Sequence, residues 1–325
     1  MDEFALIEKF FVNDDRADPS VQLGIGDDAA VLTIPAGQQL VISMDSLHQG
    51  IHFPEATPAF AIGYKAVAVN LSDLAAMGAL PKYATLSLSI PEVEQRWLGE
   101  FSQGLFSALN PHTVDLVGGD FSRGPLSITL QMHGLLPIGT AILRSTANPG
   151  DLIYVSGQLG DAALALQVLK GGVNLSDKEF SRVLPALNLP QAQVAMGLAL
   201  RGIATAMIDI SDGLSNDLPR LLSASHCGAK VDLQKLPISD VLSDTMEAQA
   251  AFQCAFIGGD DYQLCFTAKP SAQQELARLS ERLGVLLTQI GIVDDTKECH
   301  LLNSSLSYTQ LRAKRFQHFK SSSCG

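Results

Sequence analysis

Apolar residues recur along the chain with two different periods, and the two periods alternate. In residues 58–77 they recur every three or four positions, which is typical of a helix with a buried face. In residues 84–90 and 126–136 apolar and polar residues alternate, which predicts strands with one buried face. The same patterns predict further helices at 4–11, 94–109, 161–169, 191–201, 214–225 and 271–283, and further strands at 39–44, 114–117, 151–156, 205–210, 231–233 and 286–293. Because helices and strands alternate throughout, the predicted fold class is α/β, in the mixed α+β sense.

The alternation pauses between residues 137 and 150, where Gly139, Asn148, Pro149 and Gly150 gather turn-forming residues in one stretch. A chain of 325 residues is long enough for about two domains at roughly 150 residues each. The sequence therefore predicts an N-terminal domain at 1–137 and a C-terminal domain at 138–325.

The composition is that of an ordered protein with a sizeable core, with 46% hydrophobic and 17% charged residues. The formal net charge is −12, which disfavours a nucleic-acid partner because phosphate backbones are bound by basic faces. An acidic protein can still bind a phosphate-bearing ligand if metal ions bridge the two negative partners. The positions of the acids therefore matter more than their number.

The cysteines and the hydropathy suggest a cytoplasmic protein. The five cysteines are odd in number and form no C-x-x-C pair, so reduced thiols are expected rather than disulfides or a zinc site. The N-terminus lacks a basic start and an apolar run. No uninterrupted apolar run of about 18 residues is present, so no contact with a membrane is predicted.

Aspartates follow several strand-like apolar runs and stand beside glycine or serine. They occur in the sequences Gly-Asp-Asp at 26–28, Met-Asp-Ser at 44–46, Gly-Gly-Asp at 118–120, Ser-Asp-Gly at 211–213 and Gly-Gly-Asp-Asp at 258–261. Strand ends are where α/β folds place ligands, and carboxylate oxygens are the ligands that Mg²⁺ prefers. Each loop taken alone is better explained as an ordinary turn. Five loops of similar build favour a site that holds several Mg²⁺ ions with a polyphosphate.

Other nucleotide-binding and catalytic motifs do not account for the chain. Residues 24–29 fit the dinucleotide pattern G-x-G-x-x-A, but two carboxylates inside that turn would repel a pyrophosphate unless a metal ion intervened. No P-loop sequence and no protein-kinase motif is present. His48 and His52 are four residues apart without the H-E-x-x-H zinc motif.

Taken together, the aspartate loops resemble the thiamine-monophosphate kinase family. The resemblance is carried in order by the sequences at 24–28, 44–46, 65–79, 118–120, 149–151, 208–214 and 258–262. The wider superfamily includes aminoimidazole ribonucleotide synthetase, selenophosphate synthetase and a hydrogenase-maturation protein. The opening Gly-Ile-Gly-Asp-Asp, His52 and the late Gly-Gly-Asp-Asp-Tyr point to the thiamine branch.

The resemblance implies a role for individual residues, with no protein side chain acting as the catalytic group. The Mg²⁺ ligands would be Asp28, Ser43, Met44 through its backbone, Asp45, Asp73, Asp120, Asp209 and Asp212. ATP would be contacted by Gly119, Arg144 and Ser211. Thiamine monophosphate would be contacted by His52, Asp260 and Phe316.

The resemblance also implies a fold and a reaction. The N-terminal sheet domain would form a homodimer, and the C-terminal α/β domain would close over the nucleotide. The γ-phosphoryl group of ATP would pass in line to the phosphate of thiamine monophosphate, giving thiamine diphosphate in the last step of its biosynthesis. That acceptor is already an oxyanion near neutral pH, so charge neutralisation and positioning matter more than a general base.

The chain departs from the family pattern at Asp260 and Gln263, where glutamates are common, and at Phe316, where tryptophan is common. Two alternatives stay open at this point. One is a synthetase of the same superfamily that forms an acyl- or iminophosphate. The other is a regulatory nucleotide-binding protein on the same scaffold, which we would expect to have lost its metal aspartates.

Overall fold

The computed structural model describes residues 3–12, residues 18–303 and Tyr308, which fall into two compact units. The first unit comprises residues 1–142 together with residues 188–202, and the second comprises 143–187 and 203–325. The predicted division into domains 1–137 and 138–325 stays a prediction. Contacts between residues carry the first unit on to Ile142 and add the segment 188–202 to it.

Helices and strands alternate along both units. The helices are α1 (Glu3–Phe11), α2 (Ala59–Ala76), α3 (Gln95–Leu109), α4 (Asp161–Leu169), α5 (Asp177–Asn188), α6 (Val194–Ala199), α7 (Leu214–Ala224), α8 (Asp240–Thr245), α9 (Ala248–Ile257) and α10 (Gln273–Leu283). The strands are β1 (Val21–Leu23), β2 (Val31–Leu32), β3 (Gln38–His48), β4 (Leu80–Ile90), β5 (Asp115–Arg123), β6 (Ser127–Pro137), β7 (Leu152–Ser156), β8 (Ala204–Ile210), β9 (Gly228–Asp232), β10 (Gln263–Ala268), β11 (Leu287–Asp294) and β12 (Cys299–Leu302).

In the first unit a sheet with the strand order β3-β6-β4-β5 is covered on one face by helices. Alternation in β4 and β6 places Leu86, Leu88 and Leu130 on the covered face, where they are buried. Helix α2 is buried on nearly all sides, as expected for a helix that packs against both a sheet and other helices. It crosses α3 so closely that a Cβ added at Gly63 would lie 2.1 Å from the carbonyl oxygen of Phe101.

The segment 188–202 returns to the first unit through α6. A Cβ at Gly197 would lie 2.1 Å from the carbonyl oxygen of Ala75, so α6 meets α2 backbone to backbone. Arg201 Nε donates to the carbonyl oxygen of Gly78 at 2.6 Å. Val194 and Met196 are buried in the same contact region.

The second unit is built on a sheet with the strand order β12-β9-β11-β7-β10-β8. Strands β7 and β10 are buried at every position, as expected of central strands covered on both faces. Neighbouring strands pair antiparallel except β12 and β9, which are parallel. Helices α4, α7 and α9 supply apolar side chains such as Leu164, Leu218 and Ala255 to the core.

The mixed α/β class is confirmed, and several elements differ in extent from the sequence prediction. Strand β3 runs on to His48 because it pairs with β6 over its whole length, so Asp45 lies inside the strand and not at its end. Strand β5 likewise continues through Gly118 and Asp120, since it pairs parallel with β4. Helix α5 was not predicted.

Within the described residues, no helix is both long enough and apolar enough to cross a membrane. The cytoplasmic location expected from the sequence stays a prediction.

Candidate functional site

One group of predicted ligands lies at the β3 edge of the first unit's sheet. Ser43 and Asp45 are two residues apart on β3, and their register partners on β6 are the buried Met132 and Leu130. Both side chains therefore face the side of the sheet that α2 covers. The Ser43 hydroxyl donates a hydrogen bond to Asp73 of α2. Met44 lies between them in the strand, so its side chain points to the opposite face.

A second group lies at the other edge of the same sheet, on β5. A cavity of about 890 Å³ is lined by Asp28, by Gly119 and by Asp120. A Cβ at Gly119 would lie 1.8 Å from the carbonyl oxygen of Leu86. Glycine at this position therefore has a packing reason, which holds whether or not ATP approaches its backbone.

The structure does not bring the two groups together within one chain. Residues paired across the strands form rows. Asp45 lies in the row of Leu130 and Leu86, whereas Asp120 lies in the next row, with Ser87. Successive rows point to opposite faces, so the two carboxylates stand on opposite faces of the sheet. They also stand on opposite edge strands, about 14 Å apart at roughly 4.8 Å per strand spacing.

His52 lies in the turn that follows β3. Its Nδ1 accepts the backbone N–H of His48 at 3.0 Å, and the two rings are 5.7 Å apart. Lys65, which is buried in α2, donates from Nζ to the carbonyl oxygen of His52 at 3.3 Å. The two histidines are therefore joined by a turn and do not lie on a zinc-binding helix.

In the second unit two loops are hydrogen-bonded to each other. The loop 211–213 follows β8, and the loop 258–262 precedes β10. The Asp260 N–H donates to the carbonyl oxygen of Ser211 at 2.9 Å, and the Tyr262 N–H donates to that of Ile210 at 2.8 Å. A Cβ at Gly213 would lie 2.6 Å from the carbonyl oxygen of Gly258, so the loops are in van der Waals contact as well. This pairing brings the predicted ligands Ser211 and Asp212 beside the predicted substrate residue Asp260.

The Asp260 side chain is held in place by a neighbour. Asp260 and Tyr262 both have left-handed backbone conformations, with φ of 67° and 49°, which costs energy for residues other than glycine. The Tyr262 hydroxyl donates to Asp260 Oδ1 at 2.9 Å. The tyrosine is nearly buried, so its hydroxyl fixes the direction of the carboxylate.

Sequence reasoning missed Asp217 and Arg220, which form the support of the loop 211–213. Asp217 is buried, accepts the N–H groups of Ser211 and Asp212 at 3.0 Å each, and pairs with Arg220. Burial, and then the nearby charge of Asp212, raise the pKa of Asp217 to about 7. The Asp-x-x-Arg spacing within a predicted helix was the available signal, but it is also ordinary for a surface ion pair.

The backbone of one predicted ATP residue, Arg144, lies away from the loop 211–213. The carbonyl oxygen of Arg144 accepts the hydroxyl of Ser225, which caps the C-terminal end of α7. The loop 211–213 precedes the other end of that helix, about 16 Å away for eleven residues. Phe316 lies outside the described residues. Asp209, buried near the end of β8, pairs in register with Leu264.

The donors at the predicted metal positions fit Mg²⁺. All are hard oxygen atoms, from carboxylates, a hydroxyl and a backbone carbonyl, which are the ligands that Mg²⁺ takes. Among the described residues, no three acidic, histidine or cysteine side chains are already close enough to hold a metal ion by themselves. Mg²⁺ itself commonly binds through one or two carboxylates and completes its shell with water and substrate phosphates.

Comparison with known proteins identifies relatives over nearly the whole chain. Residues 26–136 match the N-terminal domain, and residues 148–302 the C-terminal domain, of the family described as AIR synthase related protein. The thiamine-monophosphate kinase of Escherichia coli K12 is 47% identical over 293 residues, which cover 89% of each chain.

Solved structures that resemble this chain include members of the same family. A thiamine-monophosphate kinase from Stenotrophomonas maltophilia K279a is 42% identical, with a TM-score of 0.86 over 94% of this chain and 98% of that one. A structure described as AaThiL complexed with AMPPCP and TMP is 28% identical, with a TM-score of 0.76 over 88% of this chain and 89% of that one.

Proposed function

The chain belongs to the thiamine-monophosphate kinases, a family of AIR synthase related proteins, and is a kinase; we propose that it uses ATP and Mg²⁺ to convert thiamine monophosphate to thiamine diphosphate. The reaction is a direct in-line transfer of the γ-phosphoryl group to the substrate phosphate. The observation that carries the proposal is the pairing of the loops 211–213 and 258–262. It sets oxygen donors suited to a metal–phosphate group beside a carboxylate suited to a cationic substrate.

The carboxylates hold metal ions and do not transfer protons. When bound, Mg²⁺ neutralises the charge of the phosphates that must approach each other. Ser43 and Asp73 are already hydrogen-bonded across β3 and α2, so these two ligands keep a fixed relative position. Asp212 and Ser211 have their backbone held by Asp217. Such fixed donors lower the barrier by positioning, which is most of what phosphoryl transfer needs.

Asp260 recognises the thiamine end of the substrate. Thiamine monophosphate carries a positive thiazolium ring, and a carboxylate held by the Tyr262 hydroxyl offers it a fixed negative charge. His52 and Phe316 complete the proposed substrate contacts, while Gly119, Arg144 and Ser211 complete those to ATP.

The test is a product assay. The protein is incubated with ATP, MgCl₂ and thiamine monophosphate, and ADP and thiamine diphosphate are measured together. Equal amounts of the two products are expected, and none when EDTA replaces MgCl₂. Formation of ADP without thiamine diphosphate would show transfer of the phosphoryl group to water and would contradict thiamine monophosphate as the acceptor. Binding of ATP without any turnover would favour a regulatory protein.

We also propose that two chains associate through the uncovered face of the first unit's sheet. Ile42 and Met44 of β3 are 53% and 61% exposed on that face, an apolar surface that a second copy would cover. A contact of identical surfaces about a two-fold axis is the commonest way to bury such a face. Light scattering at micromolar concentration is expected to give twice the monomer mass of 34.6 kDa. The double change Ile42→Glu and Met44→Glu should give monomers, and a wild-type monomer would contradict the proposal.

A further inference from the structure

The backbone of the loop 211–213 is held by a single carboxylate. Asp217 Oδ2 accepts the N–H groups of both Ser211 and Asp212, each at 3.0 Å. Asp217 lies in the first turns of α7 and its side chain is 1% exposed. The helix that follows the loop therefore fixes the backbone of Asp212 from inside the protein.

The side chain of Asp212 is held by the same support. Arg220 lies one turn after Asp217 and donates from Nη1 to Asp217 Oδ1 at 2.8 Å. It also donates from Nη2 to Asp212 Oδ2 at 2.7 Å. The planar guanidinium thus spans two carboxylates with two of its nitrogen atoms, a geometry that lysine cannot reproduce.

We propose that Asp217 and Arg220 are positioning residues for a metal ion at Asp212. The inference rests on the proposed function, which makes Asp212 a Mg²⁺ ligand. Arg220 binds Oδ2 of Asp212, so Oδ1 is the oxygen that its contact leaves for the metal ion. Residues that orient a ligand in this way commonly change metal affinity 10- to 100-fold when they are replaced. The competing view is that the partly exposed pair Arg220–Asp212 is a surface ion pair of little consequence.

The experiment measures the affinity for Mg²⁺ from folding and does not depend on turnover. Thermal unfolding of the full chain is followed while MgCl₂ is titrated at a fixed, saturating concentration of the ATP analogue AMPPCP, and each variant's own melting temperature with AMPPCP and without Mg²⁺ serves as its baseline. Arg220→Met is expected to raise the MgCl₂ concentration at half-maximal stabilisation by roughly tenfold. Arg182→Met is the matched control, because Arg182 forms a similarly exposed pair with Asp240 in the same unit. It should leave that concentration unchanged.

A double-mutant cycle assigns the effect to Asp212. In an Asp212→Asn background, Arg220→Met should produce no further change, because the residue through which it acts has lost its charge. Arg220→Lys should recover less than half of the Mg²⁺ affinity that Arg220→Met loses, since one ammonium group can bind only one of the two carboxylates well. Full recovery would overturn the two-carboxylate geometry.

The outcomes separate this inference from the proposed function. If the wild-type protein shows no stabilisation by MgCl₂, the proposed metal site fails. If the wild type responds and Arg220→Met responds at the same concentration, the positioning role is wrong while the metal site stands. A similar shift for Arg182→Met and Arg220→Met, or an undiminished effect in the Asp212→Asn background, would likewise overturn the positioning role.

Discussion

Replacing Tyr262 by phenylalanine removes one oxygen atom and tests the proposed substrate contact directly. The hydroxyl donates to Asp260 Oδ1 at 2.9 Å, while the ring, which is 8% exposed, keeps its packing in the variant. A hydrogen bond to a charged group contributes about 1.5–3 kcal/mol. Because Asp260 is partly exposed, the low end of about 1.5 kcal/mol applies, which corresponds to a change of roughly tenfold.

The assay is steady-state kinetics in which each substrate is varied at saturation of the other. We expect the KM for thiamine monophosphate to rise roughly tenfold, with the KM for ATP nearly unchanged. Tyr154→Phe is the control, because Tyr154 is a nearly buried tyrosine of the same unit that stacks on Phe266 in the sheet. Equal changes in both KM values would indicate a disturbed fold. No change in either would remove the Tyr262–Asp260 pair from the substrate site.

Three further predictions concern the metal ligands, a close backbone contact and pH. Asp45→Asn, Asp73→Asn and Asp120→Asn should each abolish turnover while circular dichroism and melting temperature stay close to wild type; near-normal rates at low Mg²⁺ in all three would contradict the metal assignment. Gly119→Ala should lower the free energy of unfolding by about 3 kcal/mol in urea denaturation, because its Cβ would meet the Leu86 carbonyl oxygen at 1.8 Å, whereas Gly118→Ala should be tolerated since its Cβ would only touch Thr85 at 3.8 Å. The hydrogen bonds of Lys82 and Ser20 lower the pKa of Asp18 to about 2, so the folded-state pKa lies below the unfolded-state pKa. The free energy of unfolding of the wild type should therefore exceed that of Asp18→Asn by about 1 kcal/mol above pH 5. This difference should vanish as the pH falls from 4 to 2.

Local periodicity was sufficient to predict most elements, because each of those segments carries its own pattern. The helix at 58–77 and the strand at 126–136 appear as α2 and β6 nearly as predicted. Strand ends were less predictable, because pairing partners determine them. Glycines at 118 and 119 suggested a turn, yet β5 continues through them alongside β4. Helix α5, which carries Pro185 in its interior, was not predicted.

The loops that carry the candidate site could be identified from the sequence, but their arrangement could not. Neither the contact of Ser211 with Asp260 nor the opposite facing of Asp45 and Asp120 follows from sequence spacing, since both depend on pairing between distant strands. Asp217 escaped notice because nothing in a lone aspartate inside a helix shows that it bends back to the two preceding N–H groups. Its role follows only from hydrogen bonds in three dimensions.

The return of residues 188–202 to the first unit limits how the protein can be divided. The chain passes between the units after residues 142, 187 and 202, so no single cut yields two self-contained halves. A fragment of residues 143–325 would carry Val194, Met196 and Leu200, all buried in the whole protein, without α2 to cover them. A swap of halves between relatives by one crossover would pack α6 of one parent against α2 of the other. A single crossover between related chains therefore divides the first unit, so we expect the two units to be exchanged together and not one at a time.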